Sequence, residues 1–239
     1  MGRLLNIHIG KTGGSTVHRF LKKNLPGYSP KNRAHAHPPR HKKNKEYITW
    51  IRNPLDRYVS AFNMHYGILT NNESLGINKI YDKNGIFKKE SWDATYIDLL
   101  NYFKTPNNFA EALSKDSPDY NHAFALSTYT RQPVGFSHIN TGLAWYLLHK
   151  NFLHRAHKNF LFVGTQENME EDLEQLKKIL NIENSKPIEN LRINKGVYDK
   201  NLSPLAIKNL KEYFKKDYEC LDLLVKYNLI NPKKIESYY

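Results

Sequence analysis

The run Ile7-His8-Ile9-Gly10-Lys11-Thr12-Gly13-Gly14-Ser15-Thr16 places a lysine, three glycines and three hydroxyls directly after an apolar segment. Those residue types in that order suit phosphate binding. Gly13 and Gly14 permit a tight turn, and Val17, Phe20 and Leu21 then recur at helical spacing. The backbone N–H groups of residues 12–16 therefore stand at a helix N-terminus, where free donors and the helix dipole attract an anion. Thr12, Ser15 and Thr16 add hydroxyl donors, and Lys11 adds a mobile positive charge. A second cluster follows the apolar run Tyr47–Ile51. In Arg52-Asn53-Pro54-Leu55-Asp56-Arg57-Tyr58-Val59-Ser60, the Arg52 fork and the Ser60 hydroxyl near a helix start suit a second phosphate.

Gly10-Lys11-Thr12 also matches the end of a Walker A loop, G-x-x-x-x-G-K-[ST], but Leu5 occupies the position of its first glycine. A kinase or ATPase further needs an apolar strand ending in a magnesium-holding aspartate, whereas the second strand ends in Arg52. Two phosphate sites separated by one crossover, without that aspartate, point to a nucleotide phosphorylated at both ends of its ribose. The alternatives are an ATP-dependent small-molecule or nucleotide kinase and a non-catalytic binder of nucleotide or polyanion.

On these motifs the chain resembles the sulfotransferase superfamily that uses 3′-phosphoadenosine 5′-phosphosulfate. Within it, the likeness is to the branch of heparan and chondroitin carbohydrate sulfotransferases and their bacterial relatives. There the first loop reads like H-I-P-K-T-G-G-T-S and the second motif like R-N-P-x-D-R-x-x-S-x-Y/F. Phe162-Val163-Gly164-Thr165-Gln166-Glu167-Asn168 is similar to the branch's F-V-G-x-x-E-N. Gly10 stands where the branch has proline, and Ser15-Thr16 inverts its Thr-Ser. The resemblance implies a nucleotide donor, no metal, and in-line transfer of a sulfuryl group to an acceptor hydroxyl on a carbohydrate. Residues Thr12, Gly13, Gly14, Ser15 and Thr16 would hold the 5′ phosphate, Arg52 and Ser60 the 3′ phosphate, and Lys11 would support the bridging oxygen.

Members of the superfamily also carry a catalytic histidine between the two motifs. In Ala34-His35-Ala36-His37-Pro38-Pro39-Arg40-His41, His37 is the first choice and His35 the second, because imidazole accepts a proton near neutrality. His41 belongs with its lysine neighbours to a solvated basic loop. A metal reading of His35, His37 and His41 lacks the Cys, Asp or Glu that most such sites recruit. His8 reads as a satisfied core histidine, and Asp56-Arg57 as a pair that fixes its loop. By the resemblance, Arg192, Lys195 and Gly196 form a late basic turn closing over the 3′ phosphate or adenine.

These residues need a scaffold that brings strand ends together. The pattern gives strand 4–9, helix 15–25, a polar stretch 26–45, strand 46–51 and helix 55–66. A surface loop or partial lid over 69–90 follows, then helices 92–115 and 139–157, strand 159–163 and helix 168–180. Ser203-Pro204 starts a closing helix with the stripe Leu210, Tyr213, Phe214, Tyr218 and Leu221. Alternating strands and helices predict an α/β protein with a central parallel sheet whose ligands bind at the strands' carboxyl ends. With the resemblance, the expected architecture is a P-loop-like three-layer α/β/α fold, one domain over residues 1–239. Acceptor specificity is expected in loops 66–92 and 115–140.

The chain has 36 Lys and Arg against 23 Asp and Glu, a net charge of +13, which favours anionic partners and suits an acidic glycan. It has no zinc-finger spacing, basic leucine zipper or aromatic RNA-binding signature, so nucleic acid is not the expected partner. A single cysteine, Cys220, excludes an intrachain disulfide. With no membrane-length apolar run and no room for a signal peptide before the first strand, a cytoplasmic location is expected.

Overall fold

The computed structural model describes residues 3–29, 31, 33–35, 37–69, 94–128, 138–183 and 200–239. Most of the loop expected over 69–90, Trp92 and the turn at Arg192, Lys195 and Gly196 lie outside them. Two compact units divide the chain: a sheet unit of Met1–Arg57, Thr141–Leu191 and Lys216–Tyr239, and a helical unit of Tyr58–Asn140 and Arg192–Lys215.

Among the described residues the sheet unit is built on four parallel strands, β1 (Leu4–Ile7), β2 (Arg33–Ala34), β3 (Glu46–Ile51) and β4 (Phe160–Thr165), in the order β2-β1-β3-β4. β3 is buried along nearly its whole length and its side chains alternate between faces. Tyr47 and Ile51 join Ile7, Leu143, Tyr146, Leu147, Phe152 and Leu221 on one side. Ile48 and Trp50 join Leu4, Val17, Phe20, Leu21, Leu173 and Leu176 on the other. The first layer comes from α6 (Leu143–Leu147), α7 (Phe152–Ala156) and α10 (Lys215–Lys226), the second from α1 (Gly14–Asn24) and α8 (Met169–Ile179). Both faces are thus covered, as the α/β/α expectation requires. Trp50 is 1% exposed, and truncating so large a buried ring costs about 3–5 kcal/mol.

The helical unit contains most of α2 (Pro54–Leu69), with α3 (Ala94–Phe103), α4 (Pro106–Ala112), α5 (Tyr120–Ser127) and α9 (Pro204–Tyr213). Its core is aromatic: Tyr58, Phe62, Phe103, Phe109 and Phe214 pack ring to ring, and the Tyr58 hydroxyl donates to the Pro106 carbonyl at 2.6 Å.

Three expected helices are each broken by local chemistry. The 92–115 helix divides at Lys104, whose φ is 60°, and restarts where Thr105 caps the Asn108 amide ahead of Pro106. The 139–157 helix divides at Lys150 and Asn151, both left-handed. The closing helix divides at Phe214, and its single expected stripe serves two cores: Leu210 and Phe214 belong to the helical unit, Leu221 to the sheet unit. Ser203 does cap α9, accepting the Ala206 amide at 3.1 Å.

Candidate functional site

The loop after β1 turns through two left-handed residues, Lys11 at φ 69° and Gly13 at φ 84°, before α1 begins. At Gly13 only glycine adopts this conformation cheaply, and a Cβ there would also lie 2.3 Å from Met169 Cε. At Gly14 a Cβ would lie 2.1 Å from the His8 ring, so the helix start is pressed against that imidazole. The amides of Thr16 and Val17 bond the Gly13 carbonyl at 2.9 and 3.3 Å, a tightened first turn. Thr12 is fully buried and its hydroxyl donates to the Ile9 carbonyl at 3.0 Å, so the side chain braces the turn. Ser15 is exposed and Thr16 half-buried at the start of α1.

Lys11 and Arg52 come together because β1 and β3 are adjacent and parallel, which sets their carboxyl ends side by side. Arg52 Nη1 donates to the Lys11 carbonyl at 3.4 Å. Burial, and then the Arg52 charge, push the Lys11 ammonium down to about 8. Arg52 Nε is buried and has no hydrogen-bond partner among the described residues. Two cations held together and partly stripped of water form a strong anion-binding field. Ser60 lies in the second turn of α2, half-buried, in the helical unit. Arg57 is fully buried and Asp56 exposed. Burial pushes the Asp217 carboxyl up against the pull of Arg57 and of the Leu143 and Ala144 amides, which donate to it at 2.8 and 2.9 Å. The Arg57 charge thus acts on a carboxylate in the sheet unit's interior.

The two histidine candidates occupy different surroundings. His37 is exposed on a bend. His35 follows β2 and stacks on His8, with ring centroids 4.2 Å apart and planes 24° from parallel. Its Nδ1 meets the His8 carbonyl at 2.8 Å, and because a carbonyl can only accept, Nδ1 carries the proton and Nε2 the basic lone pair. Burial and Arg33 hold the His35 ring below its ordinary pKa, against the opposing effect of that hydrogen bond. His8 is buried, but its Nδ1 finds no hydrogen-bond partner among the described residues, so it is not the satisfied core histidine expected. Burial, His35, Arg33, His18 and Lys11 all drive it well below 6.5, and the ring is neutral.

Two neighbours carried no motif signal. The Tyr146 hydroxyl, from α6, donates to the His35 carbonyl at 2.9 Å and also bonds the Gly10 backbone, joining the histidine stretch to the glycine-rich loop. Burial raises this hydroxyl to about 12, so it remains a donor. Arg33, on β2, acts electrostatically on His8, His18, His35 and Tyr146. Only the fold reveals either role, since Tyr146 is 111 residues from His35. Glu167, from the F-V-G-x-x-E-N-like junction, accepts the Asn53 amide at 3.5 Å and the Tyr238 hydroxyl. His41 is half-buried within the basic stretch.

Among the described residues, no three His, Cys, Asp or Glu side chains gather to hold a metal ion, and no helix is long and apolar enough to cross a membrane. No curated protein and no solved structure matched the chain. The Sulfotransferase family, in contrast, matches it over residues 3–223, nearly the whole sequence and parts of both units. With a parallel sheet, a glycine-rich loop at the end of its first strand and two cations meeting there, this chain belongs to the sulfotransferase family.

Proposed function

We propose that the protein transfers the sulfuryl group of 3′-phosphoadenosine 5′-phosphosulfate to a carbohydrate hydroxyl, with residues 1–239 working as one sulfotransferase domain. The observation that carries the donor assignment is the pairing of Lys11 with Arg52, in which a partly desolvated ammonium and a guanidinium whose buried Nε has no hydrogen-bond partner among the described residues stand at the same strand ends. Residues Thr12 to Thr16 receive the 5′ phosphate at the start of α1, and Arg52 with Ser60 the 3′ phosphate. The carbohydrate acceptor is supported by the likeness to glycan-modifying sulfotransferases and by the net charge of +13.

His35 takes precedence over His37 as the base. Its Nδ1 is occupied by the His8 carbonyl, its ring is kept neutral by burial and Arg33, and Tyr146 links its backbone to Gly10. In the reaction, His35 Nε2 accepts the acceptor's hydroxyl proton while the oxygen attacks sulfur. The bond from sulfur to the bridging oxygen breaks, and 3′-phosphoadenosine 5′-phosphate departs with the electron pair, its charge balanced by Lys11.

Calorimetry with 3′-phosphoadenosine 5′-phosphate in the absence of magnesium tests the donor assignment, run beside ATP with magnesium. Metal-independent binding is expected, weakened about 10- to 100-fold in Arg52→Ala, in line with loss of a charge-assisted contact. A preference for ATP with magnesium would return the protein to the kinase alternative.

A further inference from the structure

After α10 the chain folds back onto the ends of β3 and β4. Residues Pro232–Lys234 and Glu236–Tyr238 form two short 3-10 turns, the first capped by the Asn231 side chain. The Lys234 ammonium pairs with Asp172 and lies 3.8 Å from Glu171. Asp172 is fully buried and accepts the Thr165 amide at 2.6 Å and the Thr165 hydroxyl at 3.1 Å. Its carboxylate therefore ties the last residue of β4 to the first turn of α8. Four residues further along the same closing segment, buried Tyr238 donates its hydroxyl to Glu167. Burial and the bond to Glu167 push that hydroxyl upward, so it stays protonated, and Arg52 and Asp56 stand close enough to act on it.

The loop thus gripped is itself bonded to the residues around Arg52. The Gln166 amide donates to the Ile51 carbonyl at 2.9 Å, and Glu167 accepts the Asn53 amide at 3.5 Å. Arg52 sits between these two points. Its position beside Lys11 is unfavourable for two like charges, so the backbone that carries it must be held by other contacts. The family match ends at residue 223, before the whole of this closing segment.

We propose that Pro232–Tyr239 is a clasp that positions Arg52 for an anionic ligand: Tyr238 through Glu167, and Lys234 through Asp172, hold the β4–α8 loop that anchors Ile51 and Asn53. Tyr238 and Lys234 are positioning residues, and their value to the enzyme rests on Arg52 binding the donor's 3′ phosphate.

Two variants of the full chain test the clasp. Tyr238→Phe removes one oxygen and keeps the buried ring, and Lys234→Met keeps the stem without the charge. Amide hydrogen exchange is measured without ligand, and 3′-phosphoadenosine 5′-phosphate affinity by calorimetry. In Tyr238→Phe, exchange at Asn53 and Gln166 quickens about fivefold while α1 is unaffected, and Kd rises about fivefold. Lys234→Met gives the same pattern, and Glu167→Gln, which keeps an acceptor oxygen, a smaller one. Unchanged exchange at Asn53 and Gln166, or a uniform increase that includes α1, overturns the clasp. If exchange quickens locally while the unaltered protein binds no 3′-phosphoadenosine 5′-phosphate, the clasp stands and the donor assignment falls. If the unaltered protein binds it and both variants bind equally well, the donor assignment stands and the positioning role falls.

Discussion

The loop Gly10–Thr16 and the stretch Arg33–His41 both meet at His8, yet they are built differently. The loop is a backbone device: left-handed turns at Lys11 and Gly13, a tightened first turn on the Gly13 carbonyl, and Gly14 pressed against the His8 ring. The histidine stretch is a side-chain device, in which the chemistry of His35 depends on one ring nitrogen held by the His8 carbonyl and on a backbone oxygen held by Tyr146. A backbone-built site tolerates loss of a hydroxyl and fails when a Cβ is added. A side-chain-built base fails when its ring is removed and is indifferent to a neighbour that shares its type but not its contacts.

The largest expected effect bears on the second device. His35→Ala lowers kcat about 10²- to 10⁴-fold with 3′-phosphoadenosine 5′-phosphate affinity nearly intact, while His37→Ala changes kcat by less than about threefold. Steady-state kinetics of both variants decide, and the reverse ranking would make exposed His37 the base. For the first device, Gly14→Ala costs about 1–3 kcal/mol in chemical denaturation, because the new Cβ and the His8 ring claim one volume. It also lowers activity by displacing the ring stacked under His35, which would join the two devices through His8. Ser15→Ala, at an exposed position, alters stability by less than about 0.5 kcal/mol and nucleotide affinity less than about tenfold.

The two devices also separate on a pH axis. Burial and Arg33 lower His35 from 6.5, so this proposed base remains unprotonated at neutrality and kcat/KM is expected to fall only as pH drops through a value below 6.5. Lys11, pushed down to about 8, loses its charge as pH rises through that value, which sets the alkaline limb. An anion beside Lys11 restores the ammonium, so binding of 3′-phosphoadenosine 5′-phosphate near about pH 8.5 takes up protons. Calorimetry in buffers of different ionisation enthalpy measures that uptake, and it disappears in Lys11→Met.

The glycine-rich turn after β1 and the placing of Lys11 and Arg52 at neighbouring strand ends were legible because each lies in contiguous residues with fixed local geometry. The strand-then-helix order around them was legible for the same reason, since β3 announces itself as a short continuous apolar run, buried on both faces, and α8 through a helical stripe. The broken helices were not: Thr105-Pro106 contains an N-cap and a first-turn proline inside an otherwise helical run, and competing periodicity hid it. The two-residue strand β2 sits in a polar stretch because it lies at the sheet's edge, where no apolar pattern is required.

By itself, then, the sequence determined the parallel α/β scaffold, the glycine turn and the pair of strand-end cations, each a property of neighbours along the chain. The tertiary structure alone decided which histidine lies against His8, that Tyr146 reaches it from α6, and that Lys234 and Tyr238 grip the β4–α8 loop. Those contacts join residues 27 to 111 positions apart, and no local spacing records which distant side chain will arrive to fix a tautomer or hold a loop.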